Sequence, residues 1–195
     1  MKLAIASNNA HKLAEIRAIL GDRFDEICSL SDLNIHIEIE ENGETFLDNA
    51  LIKARTICHM SGLPALADDS GLCVNALNGA PGVRSARYAG EPCDDAANNA
   101  KLLARLHERE REHESDRSAY FVSVVALCYP DGREISARGE TYGAIVDDPR
   151  GEGGFGYDPY FLSDDLHLTF AQASAQQKNA VSHRAKALHA LLRQL

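Results

Sequence analysis

Asp68 and Asp69 stand side by side in the segment Leu66-Ala67-Asp68-Asp69-Ser70-Gly71, between two short apolar runs. An acidic pair in apolar surroundings repels itself unless a cation, a proton or strong hydrogen-bond donors compensate it. A hard divalent ion is one such partner, because it prefers carboxylate oxygens. The plain alternative is a strand end at which two solvated aspartates turn the chain, with Gly71 permitting the bend. Glu40, Glu41 and Glu44 cluster around Gly43. Either they favour the next helix start through its dipole, or Glu40 or Glu41 reaches a metal shared with the aspartate pair. The cations fall at unusual places. Lys12 follows Ser7-Asn8-Asn9-Ala10-His11 at one predicted helix start, and His183 and Arg184 fill the first turn of the last predicted helix. A helix dipole disfavours cations there, and an anion held between them and the free backbone N–H groups would resolve the conflict. The segment from Gly151 to Pro159 has four glycines in six residues yet carries Phe155 and Tyr157. Such a loop brings backbone close to a ligand, and its aromatic rings can stack on a flat one.

Apolar spacing supplies the elements that must position these groups. Leu3 to Ala6 reads as a buried strand, followed by a polar turn and a helix with Leu13, Ile16, Ile19 and Leu20 on one face. That order is the start of an α/β fold, whose ligands bind where strands give way to helices. Phe24 to Leu30 and the alternating Ile35 to Glu40 read as further strands. Thr45 and Asp48 form a capping-box pattern ahead of a helix that sets Asn49 and Lys53 four residues apart. Asp94 to Leu106 reads as a helix, and the mixed charges from His107 to Arg117 as its solvated end and a loop. Ala119 to Cys128 is the strongest strand, turned by Pro130-Asp131-Gly132 into a second long one from Glu134 to Val146. Thr169 to Ala175 reads as a weaker helical stretch ending in the polar Gln176-Gln177-Lys178-Asn179, and Ser182 caps the last helix. Arg84 and Arg87, in a Gly- and Pro-punctuated loop, reach either a phosphate, a partner subunit or solvent.

The composition bounds the function. The chain has 195 residues, of which 45% are hydrophobic, enough for one domain with a substantial core. A formal net charge of −9 argues against binding a nucleic-acid polymer or a membrane surface, though not against a small anion held by a local cluster of cations. Five scattered cysteines without a CxxC pair suit reduced thiols in a cytoplasmic protein. The opening Met1 to Ser7 is too short for a signal-peptide core, and no apolar run has membrane-spanning length.

Six segments in order, at 7–12, 40–54, 66–71, 77–90, 151–159 and 178–184, together resemble the inosine/xanthosine triphosphate pyrophosphatase family, which acts on non-standard purine nucleotides. The resemblance implies a single domain over 1–195 with an α/β fold: a long, mixed, twisted sheet with flanking helices, in two lobes around a central cleft. It also implies a homodimer and Mg²⁺-dependent hydrolysis of a purine nucleoside triphosphate to monophosphate and pyrophosphate. Carried onto this chain, Ser7, Asn8, Asn9, Ala10, His11, Lys12 and Lys53 would hold phosphates. Glu40 and Asp69 would hold the metal, Asp69 would be the general base and Ser70 would touch substrate. Phe155 would stack on the purine, framed by Gly156, Tyr157 and Asp158, while Lys178, His183 and Arg184 would reach the base or nearby groups. Asp68 can share the general-base role. Two other readings fit phosphate recognition: a binding module without catalysis, and a phosphohydrolase releasing orthophosphate. Three carboxylates speak against the first, since phosphate binding alone needs none.

Overall fold

The computed structural model describes residues 1–112 and 116–195. It is a mixed α/β protein with one six-stranded sheet in the order β2-β1-β3-β4-β5-β6. The strands are β1 (Lys2–Ile5), β2 (Glu26–Cys28), β3 (Ala65–Val74), β4 (Ser118–Cys128), β5 (Glu134–Ile145) and β6 (Phe161–Ser163). β1 pairs in parallel with both β2 and β3, and β5 pairs antiparallel with β6. The helices are α1 (Ala10–Leu20), α2 (Phe46–Ser61), α3 (Asp95–Arg111), α4 (Ala175–Val181) and α5 (His183–Leu192). No helix among the described residues is long and apolar enough to cross a membrane.

The chain divides into two compact units. The first comprises 1–69, 123–139 and 183–195, and its core gathers Leu3, Ile16, Leu66, Val125 and Leu188. The second comprises 70–122 and 140–182. Its core includes Leu72, Leu102 and a cluster of Phe121, Phe161 and Phe170, with Phe121 and Phe161 meeting edge to face at 4.7 Å. None of the five cysteines is in a disulfide, and only Cys93 is exposed. Burial, with the nearby Glu134 carboxylate adding to it, pushes the Cys128 thiol up to about 12.

Three expectations need correction. β3 does not end at the aspartate pair: it runs straight through Asp68, Asp69 and Gly71 with almost every residue buried. The apolar runs on either side are one strand, and Gly71 is a strand residue rather than a turn. Ile35 to Glu40 forms no strand, since Ile37 and the residues around it are exposed and Ile35 alone is fully buried. Its alternation marks an irregular segment leading to α2. The helix expected from Thr169 is displaced to Ala175. The Thr169 hydroxyl is committed to Arg150 O at 2.6 Å, whereas Ser174 and Gln177 close a capping box, so α4 starts there and contains Lys178. The α2 capping box formed by Thr45 and Asp48 is present as read.

Within the first unit, α5 lies directly on the backbone of β5. A Cβ at Gly139 would come within 2.2 Å of His183 O and 2.4 Å of Ala187 N. Glycine at 139 therefore sets the seat of the helix that carries His183 and Arg184. Gly139→Ala is expected to destabilise the protein by about 1–3 kcal/mol through overpacking against backbone that cannot move aside. Urea unfolding measures this, and an unchanged midpoint would show that α5 has room to lift.

Candidate active site

In an extended strand, consecutive side chains point to opposite faces. Asp68 and Asp69 are buried to 4% and 6% relative exposure, and each has its own set of partners. The repulsion expected of an adjacent acidic pair is met by separate neutralisation.

Asp68 is held by α1 and α5. Lys12 Nζ lies 3.0 Å from Asp68 Oδ1, and Arg184 Nε donates to Asp68 Oδ2 at 3.1 Å. The Arg184 guanidinium also pairs through Nη1 with Glu15, which stands three residues after Lys12 on α1. Burial opposes the charge on Asp68, but Lys12, then Arg184 and Lys53, outweigh it and hold the carboxyl far below its usual range. Burial lowers the affinity of Lys12 for its proton, and the neighbouring Arg184 and Lys53 charges lower it further against the pull of Asp68. Arg184 is raised despite burial, because Asp68 and Glu15 face it.

Asp69 belongs to α2. Asn49 Nδ2 donates to Asp69 Oδ2 at 3.1 Å, and Lys53 Nζ approaches Asp69 Oδ1 at 3.3 Å and Glu41 Oε1 at 2.9 Å. Asn49 also accepts from the N–H of Gly43 at 2.8 Å, which ties the glutamate-bearing loop to the helix. A Cβ on Gly43 would lie 2.7 Å from Asn49 Oδ1, so that approach requires glycine. Burial raises Asp69 above the usual carboxylate range, with the charge of Glu41 adding to it and Lys53 only partly offsetting both.

Lys12 and Lys53 thus sit against carboxylates, and Asn49 and Lys53 lie on the buried face of α2. Glu41 rather than Glu40 is paired with Lys53, and Glu40 is exposed. Ser7, Asn8, Asn9, Ala10 and His11 form the partly to fully exposed approach to α1, where Asn9 caps the helix by accepting from Lys12 N. Arg184, expected to reach the base or nearby groups, is 1% exposed, and its Nε and Nη1 pair with Asp68 and Glu15. His183 beside it is 5% exposed.

The second unit gathers the other set. Asp158 Oδ2 accepts from Phe155 N at 2.9 Å and from Lys178 Nζ at 2.7 Å. The Lys178 ammonium stands 5.0 Å from the centre of the Phe155 ring, within cation–π range. Tyr157 donates its hydroxyl to Ser85 O at 2.7 Å and is a buried anchor rather than a stacking surface. Ser70 is half-buried on β3, one residue beyond Asp69. Arg84 is exposed, which leaves the solvated reading in place for it.

Sequence reasoning placed Asn49 beside Lys53 without its bond to Asp69, and did not single out Glu15. The signal for both was helical spacing, since Asn49 precedes Lys53 by four and Glu15 follows Lys12 by three. No group of three His, Cys, Asp or Glu side chains arranged to hold a metal occurs among the described residues. The donor chemistry nonetheless fits a hard divalent ion at Asp69. Two carboxylates, Asp69 and Glu41, share a single lysine and offer the oxygen donors that such an ion prefers.

These features define an α/β protein with a charged pair on an inner strand, served by helices that neutralise each carboxylate separately. The chain belongs to the Ham1 family, whose model matches residues 3–194. It is similar to a dITP/XTP pyrophosphatase of Geobacter sulfurreducens, 50% identical over 187 residues, spanning 96% of this chain and 92% of that protein. It is also similar to a dITP/XTP pyrophosphatase of Aromatoleum aromaticum, 50% identical over 196 residues, covering 100% of this chain and 96% of that one. Among solved structures, a HAM1 protein from Coxiella burnetii superposes with a TM-score of 0.89 at 41% identity, covering 100% of both chains.

Removing Asp68 leaves Arg184 buried with one partner fewer. Asp68→Asn is expected to cost about 3–5 kcal/mol of stability at neutral pH, measured by urea unfolding. The folded carboxyl lies below its unfolded value of about 3.9, so its contribution is complete above about pH 4 and fades only as the pH falls further. A deficit that disappears already at pH 6 would contradict the pairing.

Proposed function

We propose that this protein hydrolyses non-standard purine nucleoside triphosphates, those of inosine, deoxyinosine and xanthosine, to the monophosphate and pyrophosphate with Mg²⁺. The observation that carries the reading is the pair of buried, separately partnered carboxylates on β3, together with the similarity to dITP/XTP pyrophosphatases. Lys12, Lys53 and the α1 N-terminus, with Ser7 to His11, meet the negative charge of the triphosphate. Asp69 accepts a proton from the water whose oxygen attacks the α-phosphorus, as the bond to the bridging oxygen breaks and pyrophosphate leaves. Its raised carboxyl suits proton acceptance, and Asn49 and Lys53 fix its orientation. Asp68, held fully ionised by two cations, is a poor proton acceptor and instead positions Lys12 and Arg184. Mg²⁺, held by Asp69 with Glu41 or Glu40, would neutralise phosphate charge when bound. A homodimeric, cytoplasmic enzyme that clears such nucleotides from the pool completes the proposal.

For the base, Phe155 offers its ring and Lys178 an ammonium 5.0 Å from the centre of that ring, held by Asp158. Hypoxanthine and xanthine present an acceptor oxygen at position 6, where adenine presents an amino group, so an ammonium there favours the former. His183 and the half-buried Ser70 complete the substrate contacts of this proposal.

Product analysis on inosine triphosphate with Mg²⁺ tests the reaction. Pyrophosphate and inosine monophosphate are expected, whereas orthophosphate, or no product, rejects it. Chelator should abolish turnover and Mg²⁺ should restore it. Asp69→Asn is expected to lower kcat by about 100-fold or more with a small effect on KM, as fits loss of a general base. Lys178→Met should reduce the inosine-over-adenosine triphosphate ratio of kcat/KM by about 10-fold or more, since one donor to the base is lost. An unchanged ratio would remove Lys178 from base reading.

A further inference from the structure

The loop carrying Phe155 is held from outside as well as by its own turn. Gly156 has φ +62°, and α3 engages both of its backbone polar groups. Its N–H donates to Asp95 Oδ2 at 2.8 Å, and its carbonyl accepts from Asn99 Nδ2 at 2.9 Å. Asn99 Nδ2 also donates to the backbone oxygen of Asp95 at 2.9 Å, which binds the two supports to one another. On the other side of the ring, the N–H of Phe155 itself is fixed by Asp158. The phenyl group therefore projects from a segment restrained immediately before and after its Cα.

Asn99 is not explained by stability. It is 6% exposed, and its Oδ1 has no hydrogen-bond partner among the described residues. An unmatched buried acceptor is destabilising, and an apolar side chain of similar volume would avoid it. The amide gains only what its donors reach, and the distant one of those targets is the Gly156 carbonyl.

We propose that Asp95 and Asn99 are positioning residues for base discrimination. By pinning Gly156 they fix the plane of the Phe155 ring, and with it the distance from a stacked base edge to Lys178. This rests on the base-binding role assigned above to Phe155 and Lys178. A ring free to tilt would admit adenine by letting its amino group swing clear of the ammonium, so loosening the clamp lowers selectivity before it lowers turnover.

The test is steady-state kinetics with inosine triphosphate and ATP on Asp95→Ala, Asn99→Leu, the double variant and Phe155→Ala, with urea unfolding of each. The expected result is a fall of about 5- to 20-fold in the inosine-over-adenosine ratio for each single variant, carried by a lower KM for ATP with kcat for inosine triphosphate nearly unchanged. The double variant should resemble either single one, because both act on one peptide segment. Asn99→Leu should unfold no earlier than the parent. Asp95 is exposed, so Asp95→Ala keeps the test valid even if Asn99→Leu folds poorly. If Phe155→Ala lowers the ratio while Asp95→Ala and Asn99→Leu leave it intact, the clamp is overturned and the base site stands. If Phe155→Ala also leaves the ratio intact, the base-site reading fails and takes the clamp with it. Equal losses on both substrates that track lost stability would reduce the two residues to a structural role and overturn the proposal.

Discussion

Two carboxylates on consecutive residues of an extended strand point to opposite faces, and each must find counter-charge in an interior that penalises bare ions. β3 imposes that condition on the first unit. One face demands a lysine and an arginine, which α1 and α5 deliver as Lys12 and Arg184. The other demands donors from α2, which arrive as Asn49 and Lys53 on the helix face that would otherwise be wholly apolar. The helices are thus placed by charge as well as by the Leu and Ile residues beneath them. Gly139 and Gly43 are the concessions in side-chain volume that allow the close approach.

The same division gives the two aspartates different chemistry. Asp68 faces two cations in direct contact and stays ionised, so it acts as a fixed anchor. Asp69 is raised above its ordinary value by burial, and the one lysine it faces is shared with Glu41. Adjacent identical side chains, one residue apart, thus meet different partners because of which helix each faces. That outcome follows from strand periodicity and requires no special backbone geometry at the site.

Much of the fold was legible because its signals were local. The strand–turn–helix start, the Thr45–Asp48 capping box and the β4–β5 pair joined by Pro130-Asp131-Gly132 each rest on residues close in sequence. What failed depended on neighbours far along the chain. Ile35 to Glu40 alternates as a strand should but has only Ile35 fully buried. Thr169 to Ala175 read as a helix, but the Thr169 hydroxyl is taken by Arg150 O and the helix starts at Ala175. Asp68 and Asp69 looked like a turn because Gly71 follows them, and only the sheet around β3 shows the strand continuing. Within the candidate site, residue types pointed to Lys12, Lys53 and the aspartates. The partners of Arg184 come from residues 15 and 68, so its role as a buried ion-pair partner could not be seen from its place in a helix first turn.

The turn that leads into Phe155 limits how this protein can vary. Gly154 has φ +75°, and a Cβ there would fall 2.2 Å from Asp158 Oδ2, the oxygen that accepts from both Phe155 and Lys178. Any side chain at 154 is thus excluded twice, by backbone conformation and by collision with the atom on which the segment converges. Single substitutions there would abolish the turn rather than retune it. New substrate preferences, whether sought by directed evolution or by design, are therefore more accessible through the supporting helices and Lys178 than through the glycines. The segment that looks most pliable in the sequence is among the least evolvable parts of the chain.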